Sequence, residues 1–233
     1  MTLCMHLFRK SLATSSMTCD MKGKFYTVFR GIVRLPFFGI TRTHVHGAEN
    51  EPDTAQGPYI ICANHTVFSD PIFLCGAMRR QQPHFMAKKE LFKIPLLGWL
   101  LKSLGAFPVD RKAGDVSAIK RSIALIEQGK CVGIFPQGHR NPGVNPRETE
   151  IRHGIGMIAA RTHATILPCY LCMKDYKYKF GRRVDIVVGK PMQYEEYSAG
   201  LTGTAEYTAI TEKVFDRICT LGEEFMRQEG KAQ

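Results

Sequence analysis

Tyr59-Ile60-Ile61-Cys62-Ala63-Asn64-His65-Thr66-Val67-Phe68-Ser69-Asp70 opens with five consecutive apolar residues and closes with a histidine and a carboxylate five positions apart. Gly57-Pro58 precede the apolar run and polar residues come after it, so the run reads as a buried strand. His65 and Asp70 then fall where a strand ends and a turn begins, the place where open α/β sheets put their ligands. On a regular helix five residues correspond to about 140° of rotation, so the two side chains can meet only across a turn. Ser69-Asp70-Pro71 supplies one, reading as a helix start with Asp70 at the N-cap and Pro71 at the first helical position. Capping alone would also account for Asp70. The strand-end position and the arginines at neighbouring strand ends favour a pair with His65.

Working outward, short apolar runs alternate with longer amphipathic ones. That alternation predicts an α/β fold, a mainly parallel sheet with helices on both faces; the apolar stretch Phe25–Ile40 in a basic surrounding adds the expectation that it is preceded by an N-terminal membrane-associated helical segment. The expected strands are Tyr59–Ala63, His84–Ala87, Ala106–Val109, Val132–Phe135, Ile166–Leu171 and Val184–Val188. The expected helices are Pro71–Arg79, Leu91–Leu104, Gly114–Gln128, Gly154–Thr162 and Thr204–Gln228. No repeat or Gly/Ser linker divides the chain. With 233 residues it accommodates one domain, taken as 49–233, after a tail and helical segment at 1–48.

The residues just past the strand ends carry the chemistry. Tyr59–Ala63 runs into Asn64-His65, Ala106–Val109 into Asp110-Arg111, and Val132–Phe135 into Pro136-Gln137-Gly138-His139-Arg140. In a parallel sheet these groups converge on one edge. In that arrangement Asp70 accepts a hydrogen bond from one imidazole nitrogen of His65, and the other nitrogen takes a proton from an incoming hydroxyl. There is no GxSxG elbow, so direct attack by a substrate hydroxyl is the economical mechanism. Arg111 and Arg140 are the expected phosphate clamp, since guanidinium binds phosphate in a directional fork and stays charged. Lys88 either joins them or, in Lys88-Lys89-Glu90, begins a solvated helix. Gly138 would allow close backbone approach, and His139 reads as a polar neighbour of the site. No Walker or GxGxxG pattern is present, and no metal is implied.

The formal charge of +11 calls for an anionic partner: nucleic acid, a phosphorylated substrate or an acidic membrane surface. The basic residues are scattered with no binding motif to organise them, which argues against nucleic acid. Eight cysteines without a secretory signal read as reduced, buried thiols. Cys169-Tyr170-Leu171-Cys172, the lone CxxC, sits in an expected strand, where residues three apart point to opposite faces; a metal or redox pair is not expected there. No run of about twenty apolar residues offers a spanning helix. Phe25–Ile40, with Arg30 and Arg34 one turn apart, reads as an interfacial helix, and residues 1–48 hold seven Lys/Arg against one acid. Leu91–Leu104, flanked by Lys93 and Lys102 and holding the only tryptophan, reads equally as an interfacial or a core helix. Residues 1–20 read as a disordered tail or a transit peptide, and Met21 as an alternative start.

Four blocks, taken together, carry a family resemblance: Asn64-His65 with Asp70; Gly105-Ala106-Phe107-Pro108-Val109-Asp110-Arg111; Phe135-Pro136-Gln137-Gly138-His139-Arg140; and Ile166-Leu167-Pro168. In order and spacing they resemble those of PlsC-type glycerolipid acyltransferases, the 1-acyl-sn-glycerol-3-phosphate acyltransferases, over residues 24 to 195. The resemblance implies transfer of an acyl chain from a thioester of CoA or acyl carrier protein to the sn-2 hydroxyl of a lysophospholipid acceptor, lysophosphatidic acid. It implies His65 as general base, Asp70 as its partner, and Arg111, Arg140 and Lys88 on the acceptor phosphate. Gln137, Gly138 and His139 would position the acceptor, and Ile166 and Pro168 would shape the acyl site. It also implies an α/β domain with an N-terminal membrane-seated segment, a place at the cytoplasmic face of an anionic membrane, and no cofactor. The family's third block reads Phe-Pro-Glu-Gly-Thr-Arg; here Gln137 and His139 stand for Glu and Thr. That keeps the His65 chemistry and opens the acceptor to another lysophospholipid or glycerol 3-phosphate. A catalytically silent membrane-binding scaffold is the reading from outside the enzyme class.

Overall fold

The computed structural model describes residues 31, 34, 37–109 and 116–230. Among the described residues, seven strands form one sheet: β1 (Thr43–His46), β2 (Tyr59–Ala63), β3 (Pro83–Lys88), β4 (Phe107–Val109), β5 (Cys131–Ile134), β6 (Thr165–Met173) and β7 (Val184–Val188). Their order is β1-β7-β6-β2-β5-β3-β4, and every neighbouring pair is parallel except β6–β7. Among the described residues, besides the helical stretch 37–40, the sheet is accompanied by helices α1 (Asp70–Ala77), α2 (Pro95–Ser103), α3 (Val116–Glu127), α4 (Gly154–Thr162), a single turn α5 (Tyr194–Tyr197) and α6 (Gly203–Gln228).

Period-two alternation divides the central strands between two cores. Ile60 and Cys62 of β2, with Ile166 and Tyr170 of β6, enter one core with α3, α4 and α6. Tyr59, Ile61 and Ala63, with Leu167 and Leu171, enter the other, against Phe73 and Leu74 of α1 and the rings of Phe37 and Phe38. The CxxC pair obeys the same rule: Cys169 lies in the second core and Cys172 in the first. The six described cysteines are all buried.

β2 and β5 lie side by side at the middle of the sheet. From β2 the chain passes through α1 to β3 on one side, whereas from β5 it passes through α4 to β6 on the other. Connections leaving in opposite directions occupy opposite faces and open a crevice at the strands' carboxyl ends. Asn64-His65 and Phe135-Pro136-Gln137 sit at that crevice.

Three expectations need correction. β1 was not expected because Thr43-His44-Val45-His46 has one aliphatic residue and no apolar run; it is a half-buried edge strand. It pairs with β7, so the sheet begins before the 48/49 division. Leu91–Leu104 is not one helix: a 3-10 segment (Lys89–Lys93) precedes α2, and Ile94 between them is extended (φ −79°, ψ 115°) because Pro95 disfavours helical geometry before it. Helix α1 starts with Ser69 at the N-cap and Asp70 already inside, one residue earlier than expected. The Asp70 carboxylate turns back to the preceding loop rather than forward to the helix. The interfacial helix expected over Phe25–Ile40 lies mostly outside the described residues; its end, 37–40, is helical. Among the described residues, no helix is long and apolar enough to cross a membrane.

Candidate active site

Residues 64–69 form the turn that the His–Asp spacing requires. His65 Nδ1 lies 2.8 Å from Asp70 Oδ2, and the same oxygen accepts the backbone N–H groups of Thr66 (2.6 Å) and Val67 (2.9 Å). Asp70 is fully buried and the His65 side chain is 14% exposed. An oxygen already accepting two N–H groups receives the ring as a third donor, so Nδ1 carries the proton and Nε2 is the basic nitrogen.

The His65 backbone is held at both of its polar groups by the loop after β5. Its N–H donates to Gln137 Oε1 (2.5 Å), and its carbonyl accepts the Asn141 N–H (3.0 Å). The ring stacks on Phe135, with centroids 4.1 Å apart and planes at 15°. Phe135 stacks in turn on Phe85. Gly133, paired with Phe85 across β3–β5, makes room for this column: a Cβ there would meet the Phe85 ring at 2.0 Å. Asn64 fixes the end of β2 by donating to the Leu171 carbonyl (3.1 Å) and accepting the Leu171 N–H (2.7 Å), which extends the ladder to β6 through a side chain.

Gln137 therefore does not face an acceptor. It is 1% exposed, and its amide is used within the protein: Oε1 on His65, Nε2 donating to Thr149 Oγ1 (2.8 Å), whose hydroxyl donates to the Pro146 carbonyl (2.6 Å). Gly138 serves the turn, with φ +71° and a Cβ position 2.7 Å from the Arg152 side chain, rather than a ligand's close approach. His139 and Arg140 are exposed, and the Arg140 guanidinium lies 5.9 Å from the Phe68 ring centroid, over the His65–Asp70 turn. Lys88 ends β3 on the same edge and is exposed. Arg111 lies outside the described residues; β4, two residues before it, ends beside Lys88. Ile166 and Pro168 are buried inside the sheet opposite Ile60 and Cys62, below the edge that carries His65, and pack the core.

His65, Asp70, Arg140 and Lys88 thus share one edge. Gln137, Asn64, Asn141 and Phe135 orient the base; Asn64 and Phe135 lie in the sequence blocks without a role assigned to them, and Gln137 alone is given one, a different one. The signal for Asn64 lies in its place at the end of a buried strand, where only a satisfied polar side chain is tolerated.

The family model described as "Acyltransferase" matches residues 42–172. The chain is 33% identical over 176 residues to the 1-acyl-sn-glycerol-3-phosphate acyltransferase of Bacillus subtilis, covering 75% of this chain and 85% of that one. It is 32% identical over 176 residues to the Streptococcus pneumoniae protein of that name, covering 74% of this chain and 64% of that one, so the match spans somewhat less than two thirds of the streptococcal protein. The crystal structure of the 1-acyl-sn-glycerophosphate (LPA) acyltransferase PlsC from Thermotoga maritima matches the fold with a TM-score of 0.63, 23% identity, and coverage of 87% of this chain and 78% of that one. A His–Asp pair at a sheet's carboxyl edge, a family model over more than half the residues and relatives at this identity lead to one conclusion: the chain belongs to the acyltransferase family.

Proposed function

We propose that this acyltransferase moves a fatty acyl chain from an acyl thioester, carried by CoA or acyl carrier protein, to the sn-2 hydroxyl of 1-acyl-sn-glycerol 3-phosphate, giving phosphatidic acid. The observation that carries the reading is the 2.8 Å contact between His65 Nδ1 and Asp70 Oδ2, with Asp70 pinned by two backbone N–H groups. The names of the relatives supply the acceptor class.

The acceptor hydroxyl gives its proton to His65 Nε2 as its oxygen attacks the thioester carbonyl. Asp70 stabilises the imidazolium that forms. The tetrahedral intermediate collapses with C–S cleavage, and the imidazolium returns the proton to the departing sulfur. One ester forms, one thioester is lost and one thiol appears. These steps need no cofactor or metal. Arg140 and Lys88, with Arg111 just past β4, hold the acceptor phosphate at the edge where Nε2 waits. The enzyme works at the cytoplasmic face of an anionic membrane, drawn there by its +11 charge.

Thiol release from purified protein tests this reading, with lysophosphatidic acid, glycerol 3-phosphate and lysophosphatidylglycerol as acceptors and both donor types. Release that requires lysophosphatidic acid is expected. Release with only another acceptor would move the protein to a sister activity, and release with none would leave a membrane-binding scaffold.

A further inference from the structure

Between two parallel strands of one sheet, a crossover helix ordinarily buries its apolar face on that sheet. Segment 89–104, which joins β3 to β4, does not. It holds nine large apolar side chains, from Leu91 to Leu104, and not one is buried; within α2 only Gly98 is. Leu96 is 78% exposed, Trp99 55% and Ile94 50%. The bend at Ile94-Pro95 folds α2 tightly against the preceding turn, so close that a Cβ on Gly98 would meet the Phe92 carbonyl oxygen at 2.4 Å. Residues 88–104 also carry Lys88, Lys89, Lys93 and Lys102, all exposed, against the single acid Glu90.

Resting on the proposed acyl transfer to a lysophospholipid, we infer that this segment is a docking surface for an anionic lipid bilayer, with Ile94, Leu96 and Trp99 entering the acyl boundary and the lysines reaching headgroup phosphates. Apolar side chains rimmed by lysine, with a tryptophan at their centre, match a monolayer surface in both polarity and charge. Position agrees with composition. The segment leaves the carboxyl end of β3, separated in the sheet from β2 only by β5, so seating it on the bilayer brings the His65 edge to the surface where a lysophospholipid resides. An acyl carrier protein, or residues 1–36 folded over α2, are the rival occupants.

Trp99 is the chain's only tryptophan, so its fluorescence reports this surface without labelling. Full-length protein is mixed with vesicles of phosphatidylcholine and phosphatidylglycerol, with and without brominated acyl chains. The expected result is solvent-like emission in the free protein, a blue shift with vesicles, quenching by the brominated chains, and reversal by salt. Leu96→Asp, which retains the fluorophore, should remove the shift and weaken vesicle partitioning about tenfold or more, as loss of one leucine's burial implies. Thiol release by Leu96→Asp should fall at least in proportion with vesicle-borne acceptor and stay at wild-type level with a monomeric short-chain one. Flotation with vesicles but no change at Trp99 would place the membrane contact elsewhere and overturn the inference. A Trp99 shift with acyl carrier protein and none with vesicles would give the surface to the donor. Emission already blue in the free protein and indifferent to vesicles would mean that the chain itself covers it. The fluorescence, quenching and partitioning readouts do not depend on catalysis, so absence of thiol release in the wild type would overturn the function and leave the surface separately decided.

Discussion

Gln137 Oε1 accepts the backbone N–H of His65 at 2.5 Å, which ties the loop after β5 to the residue that would act as base. The other end of the same amide donates to Thr149, so one buried side chain bridges two loops and His65. A glutamate in this place could keep the bond to His65. Thr149 would then have to turn its hydroxyl away from Pro146 to meet it.

Two substitutions separate positioning from charge. Gln137→Ala leaves the His65 N–H and Thr149 without their partner, at a cost of about 1–3 kcal/mol in stability, and a displaced base should lower kcat by roughly 10²-fold. Gln137→Glu should recover most of kcat while placing negative charge beside the base. Negative charge favours the imidazolium, so the acidic limb of the kcat/KM profile should move to higher pH. Profiles identical to wild type would remove Gln137 from the orienting role.

Asp70→Asn can keep one acceptor oxygen for the two N–H groups and His65, but it removes the negative charge that would stabilise the imidazolium. Steady-state kinetics should show kcat lower by about 10³–10⁴-fold, with acceptor KM little altered. An activity within tenfold of wild type would reduce Asp70 to a turn-forming residue.

Helices α4 and α6 touch through Gly156, whose N–H donates to Thr211 Oγ1 at 3.2 Å. A Cβ at Gly156 would stand 1.9 Å from the Tyr207 carbonyl oxygen, a backbone atom that cannot rotate aside. Gly156→Ala should therefore force the helices apart at a cost of about 1–3 kcal/mol, lowering Tm by several degrees in a thermal melt. An unchanged Tm would mean that the two helices approach less closely.

Burial pushes the thiols of Cys62, Cys131, Cys169 and Cys219 up, that of Cys131 to about 12 and that of Cys219 to about 11. Little thiolate then exists at mildly alkaline pH, and access is closed as well. Peptide mapping after brief iodoacetamide treatment should find these four unmodified in the native protein and alkylated in guanidinium. Rapid native labelling at Cys169 would show that the second core opens.

The parts of the fold legible in the sequence are those set by local pattern. The apolar run at Tyr59–Ala63 specified β2, and period two in Ile166–Leu171 sent Cys169 and Cys172 to different cores. The His65–Asp70 pair was legible because only a turn lets those positions meet. Longer-range features left no such trace. β1 is held by pairing with β7 and by a His46–Asp185 contact of 2.9 Å, neither of which its four residues reveal. The role of Gln137 depends on β5 lying beside β2, a fact of topology that no spacing within Phe135–Arg140 encodes. The Leu91–Leu104 pattern fitted a core or an interface equally, and the sequence does not reveal that none of its large apolar side chains is fully enclosed.

The most direct measurement is thiol release by wild type and His65→Ala, with acyl-CoA and lysophosphatidic acid, on protein shown by thermal melts to be folded. With His65 Nε2 as the base, the wild type releases thiol only when acceptor is present, and His65→Ala loses about 10³-fold or more of kcat while keeping vesicle binding. A His65→Ala protein that transfers acyl groups at a rate near wild type would contradict the assignment of His65 as the base.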